Sequence, residues 1–222
     1  MSRIVVAALL AMASAHAPAG EAEWKLFSGQ VVPHLTSGNS EQAELFARAA
    51  LDEALRSFGK THRNTETSHA QLGMALRFRG KNEEAEKNYR LALAMREKAL
   101  GRAHPSTALL LGNLAEVIQA LGRHAEAERL YRQVLPVFEK AHGDDPKTAT
   151  VLNNLGAVLR AQARYKEAEP VLLRALAMKE KTLGAGNPGV AHTLTNLAEV
   201  LEQLGKKGEA DKARRRAAAI QR

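Results

Sequence analysis

The chain of 222 residues contains no cysteine. Disulfides, thiolate metal sites and a cysteine nucleophile are therefore excluded. Aromatic residues make up only 4%, against 45% hydrophobic residues overall. A β-sandwich would draw on Val, Ile, Thr and Tyr, so this alanine- and leucine-rich chain favours closely packed helices. No apolar run reaches the roughly 20 residues needed to span a bilayer. The sequences GxxxxGK[ST], HExxH and GxSxG are all missing, which leaves phosphate-loop, zincin and nucleophile-elbow chemistry without support. No cofactor, metal or catalytic residue is expected, and the chain does not read as an enzyme.

What the chain does have is a period. His104 to Ala127 reads HPSTALLLGNLAEVIQALGRHAEA, Asp145 to Ala168 reads DPKTATVLNNLGAVLRAQARYKEA, and Asn187 to Ala210 reads NPGVAHTLTNLAEVLEQLGKKGEA. Pro105, Pro146 and Pro188 are 41 and 42 residues apart, and Asn113, Asn154 and Asn196 keep the same steps. A fixed period of this length marks a stack of supersecondary units. The units run over about 21–60, 63–103, 105–144, 146–186 and 188–217, with a basic tail at 218–222. In the first unit the opening helix is expected to be degraded, because Gly29 and Pro33 interrupt its apolar spacing.

Each unit reads as two antiparallel helices. In the 105–144 unit, Leu110, Leu111, Leu114, Ala115, Ile118 and Leu121 form one stripe, and Ala127, Tyr131, Val134, Leu135 and Phe138 form another. Asp145 and Asn187 are suited to cap helix N-termini, each followed by a proline at the first helical position. Gly80, Gly122 and Gly205 make the turn inside a unit. Ala163 stands in that place in the 146–186 unit, where a slightly strained turn is expected. Pro170 should be tolerated in a first turn, whereas Pro136 should kink its helix.

The small and large positions Leu114, Ala115, Ile118, Gly122, Ala127 and Tyr131 resemble those of the tetratricopeptide repeat. Leu155, Gly156, Leu159, Ala168 and Leu172 repeat the match in the next unit. The 41–42-residue period and closing sequences such as Glu180-Lys181-Thr182-Leu183-Gly184 look like the kinesin-light-chain type of that repeat. The resemblance spans about residues 38–217. It implies an all-α, right-handed superhelical α-solenoid of antiparallel helix pairs, whose first helices line a concave groove and bind an unidentified peptide or partner protein.

On that reading the groove residues are Gln71, Asn113, Glu116, Gln119, Asn153, Asn154, Arg160, Asn196 and Glu199. Related repeats use an asparagine to hold a peptide backbone, a role the resemblance extends to Asn113, Asn154 and Asn196, with Gln71 as a longer substitute. An amide both donates and accepts, so these residues can equally bond the neighbouring repeat and fix the stacking. Arg77, Glu202, Met74 and Phe78 give the groove a mixed character.

The net charge is +8. Much of it is interleaved with glutamate, as on solvated helices. Lys206, Lys207, Lys212, Arg214, Arg215, Arg216 and Arg222 form one cluster, read either as cations favoured by a helix C-terminus or as a contact for nucleic acid or an anionic surface. Nucleic acid is the less expected partner. His62, His104 and His142 fall at related helix ends, one per unit, too far apart for joint metal binding. At the start of the chain, a short basic stretch, the apolar run Ile4 to Ala13 and the small-x-small triplet Ala13-Ser14-Ala15 have the three parts of a signal peptide. Cleavage after Ala15 and export to a bacterial periplasm are expected. The alternative is an uncleaved N-terminal helix lying on the first repeat in a cytoplasmic protein.

Overall fold

Orphan amides at a helix start need acceptors, and four helices of this chain satisfy them at one register position. In a computed structural model, which describes residues 19–221, the His62 Nδ1 accepts from the Asn64 amide at 3.1 Å and the His104 Nδ1 from the Ser106 amide at 3.2 Å. Asp145 Oδ1 accepts from Lys147 and Asn187 Oδ1 from Gly189, each at 2.8 Å. His142 does not share this position. It is the last residue of its helix, with its ring edge-on to Phe138 at 5.5 Å. The proposed export segment and its cleavage site lie outside the described residues.

The chain divides into two compact units, residues 1–101 and 102–222. The first contains α1 (Ala19–Thr36), α2 (Ser40–Phe58), α3 (Arg63–Phe78) and α4 (Asn82–Leu100). The second contains α5 (Pro105–Ala120), α6 (His124–His142), α7 (Pro146–Ala161), α8 (Tyr165–Leu183), α9 (Pro188–Gln203) and α10 (Lys207–Ile220). No strand occurs among the described residues. Within each unit, odd-numbered and even-numbered helices pair in sequence, giving the stacked helix pairs of an α-solenoid. No described helix is long and apolar enough to cross a membrane.

α1 corrects one expectation. It runs unbroken through Gly29 and Pro33. Packing overrides the local preference: Phe27 and Val31 are buried, the Trp24 indole N–H donates to Ser68 Oγ at 2.8 Å, and its ring meets Phe58 edge-on. α6 continues across Pro136. Pro170 is the sixth residue of α8, beyond the first turn. Ala163 adopts φ 57°, in the left-handed region that Gly122 (φ 76°) and Gly205 (φ 77°) occupy at the same turn, and it carries the strain that glycine avoids.

Close approach of paired helices depends on small residues. A Cβ on Gly156 would lie 2.5 Å from Leu172, and one on Gly73 would lie 3.0 Å from the Tyr89 ring. Within a unit, consecutive pairs are joined by a second device that the residue pattern carried but the sequence reading passed over. A glutamate on a second helix binds the turn cation of the following pair: Glu44–Lys81 at 2.8 Å, Glu128–Arg164 at 2.5 Å and Glu169–Lys206 at 2.5 Å. These glutamates and cations recur at the repeat period, as the helix stripes do.

Glu128 is only 8% exposed. Burial raises its pKa, but hydrogen bonds from Gln162, Arg132 and Arg164 outweigh that and hold the carboxyl below its ordinary 4.5. Glu44 is lowered in the same way by Lys81 and Arg48, against burial. A folded-state value below the unfolded one means stability that is fully present above pH 4.5 and lost as pH falls through the folded value. Glu128→Gln should therefore lower stability by up to about 1 kcal/mol at pH 7, since its arginine partners are partly solvated. It should also flatten the loss of stability on acidification, as measured by urea melts between neutral pH and pH 3.

Candidate functional site

The first helices of the second unit, α5, α7 and α9, place the asparagine positions side by side. They do not use them alike. Asn196 is 5% exposed and donates from Nδ2 to Asn153 Oδ1 at 3.1 Å, and Asn153 is 2% exposed. Asn153 Nδ2 donates in turn to Asn154 Oδ1 at 3.2 Å and lies 3.4 Å from the His192 ring nitrogen. Asn154 donates to Glu116 Oε1 at 3.3 Å. Asn113 is half-buried, and its side-chain amide makes no hydrogen bond among the described residues. Gln71 belongs to the first unit, where it ties α3 to α1: Ser28 Oγ donates to Gln71 Oε1 at 2.9 Å, and Gln71 Nε2 donates to the Ser28 carbonyl at 3.1 Å.

Between α5 and α7 a pocket of about 220 Å³ opens. Leu109, Gly112, Asn113 and Glu116 form one wall, Thr150, Val151 and Asn154 the other, and Tyr131 and Phe138 of α6 the floor, with Pro146 and Lys147 at one end. Leu109 is 44% exposed, an apolar side chain left at the rim. The structure thus gathers Asn113, Glu116 and Asn154 at one cavity. It places Gln119 beside that cavity, accepting from the Tyr131 hydroxyl at 3.1 Å, and pairs Arg160 with Glu199 between α7 and α9. Pro146 was read only as a helix start, and Lys147 and Val151 were not singled out as lining residues. Tyr131 and Phe138 were read as packing residues, and they do pack. That they also line a cavity, while buried themselves, is what a linear pattern does not show.

The neighbouring α7/α9 contact has a buried cation beside it. Lys179 is buried and its Nζ donates to the Gly189 carbonyl at 3.1 Å. Burial pushes its pKa down. His192 is pushed down too, first by burial and then by the positive charges of Lys179 and Arg160. Among the described residues no group of three His, Asp or Glu is arranged to hold a metal ion. Half of the basic residues described near the C-terminus have carboxylate partners: Lys206 with Glu169, Arg214 with Glu202 and Asp211, and Arg216 with Glu180. Arg222 is outside the described residues.

Two family models described as tetratricopeptide repeat match the chain, one over residues 106–181 and 147–222 and the other over 67–106. Comparison with curated proteins finds no match. Similar solved structures include BtubC (BKLC) from P. vanneervenii, at 24% identity and TM-score 0.79, covering 97% of this chain and 86% of that one. Kinesin light chain TPR-like repeats from Podosopora anserina superpose at TM-score 0.73 and 23% identity, covering 88% and 93%. Pseudomonas aeruginosa pilF matches at TM-score 0.65 and 20% identity, covering 91% and 78%.

The two classes of asparagine should separate on substitution. Asn196→Ala strands the buried amide of Asn153 and should cost about 1–3 kcal/mol. Asn113→Ala removes no bond and should change stability by less than about 0.5 kcal/mol. Urea unfolding of the two variants measures the difference.

Proposed function

The chain belongs to the tetratricopeptide repeat family, and from that premise we propose that it is of the kinesin-light-chain-like form and binds an extended segment of a partner protein at the α5/α7 pocket. A protein-interaction scaffold of this family has no chemistry of its own to perform. Its surface must instead hold a chain. The observation that carries the reading is the pairing of an apolar cavity with the uncommitted amide of Asn113 at its wall. An amide can donate to a backbone carbonyl and accept from a backbone N–H whatever the side chains are. The apolar floor of Tyr131 and Phe138 then selects what the chain must carry.

The size of the cavity narrows the ligand. Sites for drug-sized molecules usually enclose about 300–1,000 Å³, and this pocket is smaller. It fits one apolar side chain, with the rest of the segment lying along the first helices. The reading through the basic C-terminal helix has less in its favour, since Arg214 and Arg216 are held by carboxylates.

Random peptides displayed on phage and selected on the purified chain provide the probe. Peptides sharing a single apolar anchor should be enriched. Their affinity should fall about tenfold or more in Asn113→Ala, the loss of roughly one buried amide bond, and should change little between low and high salt. Binding that weakens steeply with salt and is lost when Arg214, Arg215 and Arg216 are neutralised would instead support an anionic partner.

A further inference from the structure

We infer that Gly112 is the specificity-determining residue of this surface: among the first-helix contacts within a unit, it holds open α5/α7, where a partner segment can enter. The inference rests on the peptide-binding reading above. It comes from comparing the three contacts between successive first helices that lie within a unit. At α1/α3, Gln71 is tied to Ser28. At α7/α9, Asn196 is tied to Asn153. Gln71, Asn154 and Asn196 share one register position, and Ser28, Gly112 and Asn153 share the position that receives the tie. At α5/α7 the receiving residue has no side chain. Asn154 turns to Glu116 instead, and the space left is the pocket.

Nothing in the backbone or the packing demands glycine here. Gly112 sits inside α5, without the positive φ of the turn glycines. A Cβ on it would meet only Val134 Cγ1, at 4.0 Å, an ordinary contact. Gly73 and Gly156 are different, because a Cβ there would clash with Tyr89 or Leu172. Glycine destabilises a helix interior relative to alanine. A glycine kept in α5 without a steric or conformational reason leaves one physical effect, the empty volume above it. Asparagine at the equivalent place, residue 153, shows what fills that volume when it is closed.

Gly112→Asn should rebuild at α5/α7 the tie seen between Asn153 and Asn196. The variant should melt at or above the temperature of the native chain and bind the phage-selected peptide at least tenfold more weakly. Gly112→Ala, which adds only a methyl group, should keep affinity within about threefold while raising the melting temperature. Native-like peptide affinity in a stably folded Gly112→Asn overturns the inference and leaves the peptide reading intact. If the native chain enriches no peptide, the functional reading fails and this inference falls with it. Should Gly112→Asn melt below the native chain, Gly112→Ser carries the same test with the same two outcomes.

Discussion

Within a unit, a buried polar side chain on one first helix can find a partner beyond its own pair only on the adjacent pairs, because stacked repeats contact only their neighbours. The side-chain tie between successive first helices is therefore the constraint on which the surface depends. An amide spent on the neighbouring repeat stiffens the stack and is lost to any ligand. An amide left over is free for a partner. Asn196 and Asn153 make the first choice, buried and bonded to each other. Asn113 makes the second, at the wall of a pocket.

The remaining contacts allow that division. Glutamate–cation pairs at Glu44–Lys81, Glu128–Arg164 and Glu169–Lys206 link consecutive pairs away from the first-helix face. Within a pair, Gly73 and Gly156 let helices approach to contact. With cohesion supplied elsewhere, and with Asn154 turned to Glu116, α5 and α7 do not need a tie at the Gly112 position, and its absence leaves a cavity rather than a gap in the core. The floor of that cavity remains part of the core, since Tyr131 and Phe138 are buried even as they line it.

Much of this was legible in the residues. The period placed Pro105, Pro146 and Pro188 at the first positions of their helices, and the exchange of glycine for Ala163 marked a left-handed turn. The caps at His62 and His104 were missed because an imidazole accepts an amide only through an unprotonated ring nitrogen, a state no residue pattern displays. The continuity of α1 was missed because Trp24, Phe27 and Val31 act through tertiary contacts. The asparagine ladder looked uniform in sequence. Its members diverge because of the residue that receives them, Gly112 in one contact and Asn153 in another, one position before the asparagine that drew the eye.

Side-chain amide exchange with water, followed by NMR on chain carrying ¹⁵N-labelled asparagine, tests the central claim most directly. The account predicts slow exchange for the Asn153 and Asn196 side-chain amides, which are buried and tied, and fast exchange for Asn113, slowed only when a selected peptide is added. Equal protection of all three in the free chain would contradict the division of the ladder into ties and a ligand-binding position.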